Sequence, residues 1–341
     1  MKQYRLIASA KAWFLAAITL IGLCAAFFWP AGLPPWQLLS LIWQGSFGDA
    51  YAISETLVKA TPTLWCAMAV AIPARLGLIS IGAEGQMYVG AMAGAAWIFF
   101  AASMPSPILV TGMFVCSAAG GFVWGLIPGW LMAKLNINET LVSLLLNFVA
   151  VDILDYLIHG PWKAPESTNW PQSATFPDAT ILPPIVPGYR THIGLMAAVL
   201  FCLFFYFIFA KTRWGLVTRV LSINPRLSRL GGVNLDRYVV LLMGVGGLVA
   251  GLGGICEAAA IQTRLESHFL PGFGLSGYLV SWLAQHDFRG LIPLSVLMGA
   301  VLASADTLQL SAHLPSSSAL ILEGLLFSVL VGAKRFQEAR S

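Results

Sequence analysis

The sequence predicts an all-α, polytopic membrane protein of about ten transmembrane helices, organised as a probable inverted repeat of two five-helix halves. Three observations predict it. First, 58% of the 341 residues are hydrophobic and only 10% are charged, against about 25% charged in ordinary soluble domains. Second, apolar runs near the length of about 20 residues that spans a bilayer recur along the whole chain. Third, the basic residues segregate to alternate connections, as the positive-inside rule requires.

The runs fall at 12–29, 56–74, 82–102, 108–133, 139–158, 192–210, 238–258, 274–285, 290–310 and 317–333. The first follows Met1-Lys-Gln-Tyr-Arg5, which gives it the flank of a signal peptide. A cleavable apolar region is about 7–15 residues long, so a retained helix is the better reading. The eighth run is short and glycine-flanked, which suits a half-helix or re-entrant segment.

With the N-terminus in the cytoplasm, fifteen of the 19 Lys and Arg fall on the cytoplasmic side, against Lys59, Lys163, Arg190 and Arg264 outside. Removing one internal span reverses every later loop and destroys the asymmetry, so both termini are expected in the cytoplasm. The chain then reads as one transmembrane domain, 1–341. Half one covers 1–158, an outer loop 159–191 and half two 192–341. Two odd-numbered halves cross in opposite senses, as an inverted repeat needs. Gly82-Ala-Glu-Gly85 and Gly272-Phe-Gly-Leu-Ser-Gly277 open corresponding spans. The outer loop carries Pro161, Pro165, Pro171, Pro177, Pro183, Pro184 and Pro187, which limit helix and central strand alike. It reads as an ordered cap, or as a docking surface for an outer partner.

Several patterns carry no chemistry. Gly272-x-Gly274-x-x-Gly277 lacks the preceding strand and the later acidic residue of a dinucleotide site. No phosphate-binding Gly-x-x-x-x-Gly-Lys-Ser/Thr loop is present, so the usual element for ATP hydrolysis is missing. The five cysteines and five histidines are scattered, without metal-ligand spacing. Asn138-Glu139-Thr140 reads as a helix start capped by Asn136 or Asn138. Gly90-x-x-x-Gly94, Gly121-x-x-x-Gly125-x-x-x-Gly129 and Gly247-x-x-x-Gly251 mark close helix packing, within the chain or between subunits.

Polar residues inside the spans are the candidate site. A charge at a membrane-helix centre costs about 2.5–3.5 kcal/mol on insertion scales. Glu84 and Gln86, with Gly82 and Gly85 clearing space, line a polar path or else make helix–helix hydrogen bonds; Asn147 and Glu257 carry the same two readings. The second candidate is the cytoplasmic loop 211–237. Leu216, Val217, Val220 and Leu221 repeat at helical spacing from Gly215, with Arg219 opposite. Asn224-Pro225 stops that helix and starts a second short one through Arg226 and Arg229, which Gly231-Gly232 ends. Six basic residues lie in the loop. It docks a cytoplasmic partner or lies on anionic lipid.

Ile81-Gly-Ala-Glu-Gly-Gln86, Asn138-Glu-Thr-Leu-Val-Ser-Leu-Leu-Leu-Asn147, Gly160-Pro161 and Ile223-Asn-Pro-Arg-Leu-Ser-Arg-Leu-Gly-Gly-Val-Asn234 occur in that order. Together they resemble the permease subunits of bacterial ABC importers of the simple-sugar and nucleoside type, related to ribose and branched-chain amino-acid permeases. The chain departs from that pattern at Ile79-Ser80 and at Gln285-His-Asp-Phe-Arg289. The resemblance implies a non-enzymatic permease in the bacterial inner membrane that moves a nucleoside or simple sugar by alternating access. It implies cytoplasmic ABC ATPase subunits, a second permease subunit (the same or a paralogue) and a periplasmic or lipid-anchored solute-binding protein. Membrane lipid is the remaining partner; no cofactor, metal or nucleic acid is implied. Gly215, Arg219, Asn224, Pro225, Arg226, Arg229 and Gly231 then take the ATPase-coupling role, and Gly82, Glu84, Gly85 and Gln86 flank the translocation path. A branched-chain amino-acid permease and a proton-coupled secondary transporter are the alternatives.

Overall fold

The computed structural model describes residues 18–29, 32–165, 170–224, 232–312, 314–315 and 317–338. Among them are twelve α-helices and no strand. The chain divides into two compact units, one from the segments up to Lys59 and from Val296 onward, the other from Ala60 to Ser295.

The first unit contains α1 (Ile18–Phe28), α2 (Pro35–Phe47) and the start of α3 (Ala50–Ala74). It also contains most of α11 (Phe288–Ala312) and α12 (Ser318–Glu338). Cys24, Phe28, Leu33 and Leu38 pack on Leu308, Leu314 and Leu322. The Ser46 hydroxyl donates to the Ala300 carbonyl at 2.7 Å, and Lys59 pairs with Asp306 at 3.2 Å. Two charges of the apolar runs thus neutralise each other. Helix α2 was not expected from the apolar runs. Pro35 starts it, at a position where the missing N–H costs nothing. At 13 residues it is about 20 Å long, too short to span the hydrocarbon.

The second unit holds the rest of α3 with α4 (Ala83–Phe100), α5 (Ser106–Leu135), α6 (Glu139–His159), α7 (Gly194–Lys211) and α8 (Arg213–Ile223). It continues with α9 (Leu235–Glu257), which runs into a π-helical turn, Ala258–Gln262, and with α10 (Phe273–Leu283). Every expected span overlaps one helix, and α2 and α8 are the two helices outside those spans. Length and composition mark six helices as able to cross a bilayer: α3, α5, α6, α7, α9 with its extension, and α11. The 11-residue α10 is about 16 Å long, a half-helix as its flanking glycines suggested. Helix α4 falls outside the six because its first turns carry Glu84 and Gln86. It is largely buried, so it faces protein more than lipid.

Glycines set the packing of α4, α5 and α9. A Cβ on Gly90 would land on the Gly251 backbone, one on Gly247 on the Gly121 carbonyl, and one on Gly254 on the Met87 carbonyl. The Ser117 hydroxyl adds a 2.6 Å hydrogen bond to the Gly251 carbonyl. With backbones this close, dispersion and interhelical hydrogen bonding replace the hydrophobic effect, which lipid does not supply. The small-residue spacings therefore serve contacts inside one chain.

The described part of the segment 159–191 packs against the segment that follows the π-helical turn. Ser173 exchanges backbone and hydroxyl hydrogen bonds with Leu265 at 2.9 Å, and the Phe176 N–H donates to Thr263 at 2.8 Å. Phe99 packs against Trp162 and Phe176 at 5.4 and 5.9 Å. His192, just before α7, is buried and accepts from the Gly194 N–H through Nδ1 at 3.2 Å.

Two outcomes follow from this packing. Gly251→Ala forces backbones apart, an overpacking cost of about 1–3 kcal/mol, and should lower Tm in detergent by several degrees. Gly324→Ala, with open space around its Cα, should not. Burial pushes the His192 pKa down to about 4 from 6.5. The unfolded chain therefore binds about one more proton between those values. Stability contributed there is complete above pH 6.5 and falls towards pH 4; unfolding profiles of wild type and His192→Gln should diverge in that window.

Candidate functional site

Where α3 ends, the chain runs extended through 78–81 before α4 begins. The Leu78 N–H donates to the Pro73 carbonyl at 3.3 Å; the groups after it lie outside any helix ladder, and a polar group left unpaired when buried is costly. The adjacent face of α6 supplies the partners. Glu139 accepts from the Ile79 N–H at 3.2 Å, and the Thr140 hydroxyl donates to the Ile79 carbonyl at 3.0 Å. Ser143 accepts from the Ile81 N–H at 3.2 Å. Asn147 donates to the Ile81 carbonyl at 2.9 Å and accepts from the Gly85 N–H at 2.8 Å. One polar stripe of α6 thus behaves as a partner strand for the entry to α4. Asn138 caps α6 by accepting from Leu141 at 3.1 Å, as its position in the sequence predicts. Gly82 and Gly85 are small because Ser143 and Asn147 occupy the space a Cβ would need.

Glu84 faces the other way. Its carboxylate accepts from the Gly272 N–H at 3.4 Å and the Gly274 N–H at 3.2 Å, at the start of α10. A helix start offers unpaired N–H groups and the positive end of a dipole, so a carboxylate there is stabilising. One turn further along α4, the Tyr88 hydroxyl accepts from the Leu270 N–H at 3.2 Å, with its ring edge-on to Phe269 at 5.1 Å. Glu84 and Tyr88, four residues apart on one helix face, together hold the segment 270–274, where the irregular chain enters α10. Tyr88 was missed in the sequence; its spacing from Glu84 was the available signal. Gly274 is small because Glu84 lies where its Cβ would be.

Gln86 is buried. Glu257 is buried at the end of α9, where the helix widens into its π turn. The structure therefore brings Glu84, Gly82, Gly85 and Asn147 into one assembly around the starts of α4 and α10. Glu257 belongs to a different helix junction.

The coupling residues lie on and beyond α8. Thr212 caps this helix, accepting from the Gly215 N–H at 3.4 Å, and Asn224 closes it with extended backbone. Gly215, Thr218 and Leu221 are buried. Leu216, Val220 and Ile223, at helical spacing, are exposed to 63%, 38% and 78%, and Arg219 is exposed beside them. Pro225, Arg226, Arg229 and Gly231 fall outside the described residues.

A family model described as the branched-chain amino acid transport system / permease component matches residues 52–331. The chain belongs to this permease family. It is 32% identical to the glucose ABC transporter permease protein of Haloferax volcanii over 300 residues, covering 85% of this chain and 78% of that one. It is 28% identical to the guanosine ABC transporter permease protein of Bacillus subtilis over 279 residues, covering 81% and 80%. Identity to the nucleoside ABC transporter permease protein NupB of Lactococcus lactis is 24% over 305 residues, covering 84% and 81%. The matched span in this permease takes in the starts of α4 and α10 and all of α8.

Asn147→Leu strips the permease's Gly85 N–H and Ile81 carbonyl of their partner. Leaving a buried polar group unpaired costs about 1–3 kcal/mol, so the Tm of the purified protein should fall by several degrees. Phe148→Leu, at an exposed neighbour, should leave Tm within a degree or so, on the order of an ordinary surface change.

Proposed function

We propose that this chain is the membrane-spanning permease subunit of an ATP-driven importer for a nucleoside or a simple sugar. The observation that carries the proposal is α8. A short helix outside the spans, anchored by Gly215, Thr218 and Leu221, holds an apolar stripe of Leu216, Val220 and Ile223 outward beside Arg219. Exposed apolar residues ringed by polar ones are what a partner protein covers. The positive-inside rule puts this stripe in the cytoplasm, with both termini on the same side. There it meets ABC ATPase subunits, and Asn224, Pro225, Arg226, Arg229 and Gly231 extend the same contact. ATP binding closes the ATPase pair and the motion passes through α8 to the spans. A second permease subunit completes the channel, and a binding protein delivers solute from outside. The chain itself catalyses no covalent step.

The solute class rests on the relatives, whose names specify glucose, guanosine and nucleosides. Its path runs by the starts of α4 and α10. A hydroxyl or ring nitrogen of such a solute can exchange with the hydrogen bonds that Glu84 makes to α10; Gln86, on the same helix, and Glu257, at the end of α9, are the other buried polar groups proposed for the path.

Leu216→Asp combined with Ile223→Asp should lower ATPase co-purification at least about tenfold, a loss of about 1.4 kcal/mol of association, with membrane insertion unchanged. Normal co-purification would remove α8 from the coupling role. Glu84→Gln keeps an acceptor but loses the charge that α10 faces. Solute uptake into vesicles should fall further than the yield of assembled complex; an equal fall in both would assign Glu84 to assembly alone.

A further inference from the structure

We propose that a cleft at the basic end of the second unit, ringed by Arg75, Arg219 and Arg289, is a binding site for a phosphate group. The cleft has a volume of about 580 Å³. Its walls come from the end of α3, the end of α7, the inner side of α8 and the turn 285–289 that joins α10 to α11.

The charges in it do not balance. Three guanidinium groups face it, and Asp287 is the sole carboxylate among its described lining. Asp287 accepts from the Arg289 N–H at 3.3 Å and pairs with Arg75 at 3.7 Å, which leaves one carboxylate against three guanidinium groups. Arg75 lies over the rings of Phe288 and Phe209 at 5.4 and 5.9 Å, which fixes its plane, and its Nε is enclosed with no hydrogen-bond partner among the described residues. Arg289 donates to the Tyr206 hydroxyl and lies over the same ring at 4.8 Å, so its partner is neutral. Arg219 stands near enough to Arg75 for the two charges to repel. Holding like charges together in a partly enclosed space is unfavourable unless an anion joins them.

The geometry selects phosphate over a lone carboxylate. Guanidinium groups arranged around one space suit a tetrahedral anion with several acceptor oxygens. The remaining volume accommodates the organic group that carries the phosphate. Ser222, Gln285 and His286 offer polar atoms around it. Gln285 and His286 both hold left-handed backbone, at φ +55° and +58°, a conformation that L side chains rarely adopt. The His286 N–H donating to Ser281 at 2.8 Å, with the Ser281 hydroxyl 2.9 Å from His286 Nδ1, keeps the turn in that shape. The ligand class is a phosphate ester, free in solution or on a phospholipid headgroup. The site stands on these residues whether or not α8 couples to an ATPase.

The test measures thermal stabilisation of the purified full-length chain in nonionic detergent at constant ionic strength. Inorganic phosphate and glucose 6-phosphate should raise Tm in a saturable way, and glucose should not. Arg219→Ala and, separately, Ser222→Asp (which adds a negative charge at the exposed rim) should each weaken the apparent Kd at least about tenfold. Circular dichroism checks that each variant is folded. A parallel arm uses nanodiscs of phosphatidylcholine with or without phosphatidylglycerol. Stabilisation by phosphatidylglycerol alone, lost in both variants, supports the site and assigns the phosphate to lipid. No stabilisation by any phosphate-bearing probe, or equal stabilisation of wild type and both variants, overturns the proposal.

Discussion

Backbone hydrogen bonding where helices are interrupted is the constraint on which this fold depends. A continuous helix satisfies its own N–H and C=O groups; a buried chain that breaks must find partners elsewhere. This permease breaks before α4 and again before α10, and each break is closed by side chains from a neighbouring helix. Glu139, Thr140, Ser143 and Asn147 serve the first; Glu84 and Tyr88 serve the second. The polar residues that looked expensive in an apolar sequence are the ones that make interrupted helices affordable.

The glycines follow from the same constraint at one remove. Side-chain hydrogen bonds of about 3 Å reach only if helix axes come close. Gly82, Gly85 and Gly274 give the approach at the breaks, and Gly90, Gly121, Gly247 and Gly251 give it along α4, α5 and α9. In lipid the gain from such contacts is dispersion and hydrogen bonding. This explains why α4, with polar first turns and small residues behind them, sits among protein neighbours while α6 and α7 show most of their surface outward.

Much of this was legible in the sequence, for identifiable reasons. Apolar runs and caps are local, so the expected spans coincide with helices, Asn138 caps α6, and α8 ends at Asn224. Helix α2 escaped because Gln37 and Gln44 interrupt its apolar residues and it is shorter than a span. Glu84 was recognisable by its cost, but its partner lies 188 residues away, and no spacing rule reaches that far. Asn147 was expected either to line a polar path or to make helix–helix hydrogen bonds; its amide joins the Ile81 carbonyl and the Gly85 N–H, a pairing invisible until α6 is laid beside α4. The apolar residues of α8 were expected to share one side. The structure divides them, Leu221 inward and Leu216 and Val220 outward, because the helix must both anchor and present.

Helix α10 has a consequence for motion. Its first N–H groups are held by a carboxylate from another helix, and its own ladder is intact from that point on. Releasing Glu84 therefore leaves the rod whole: no turn has to melt. Tilting α10 would require those two hydrogen bonds to change acceptor and its packed face, where Gly277 meets Cys66, to shift with it.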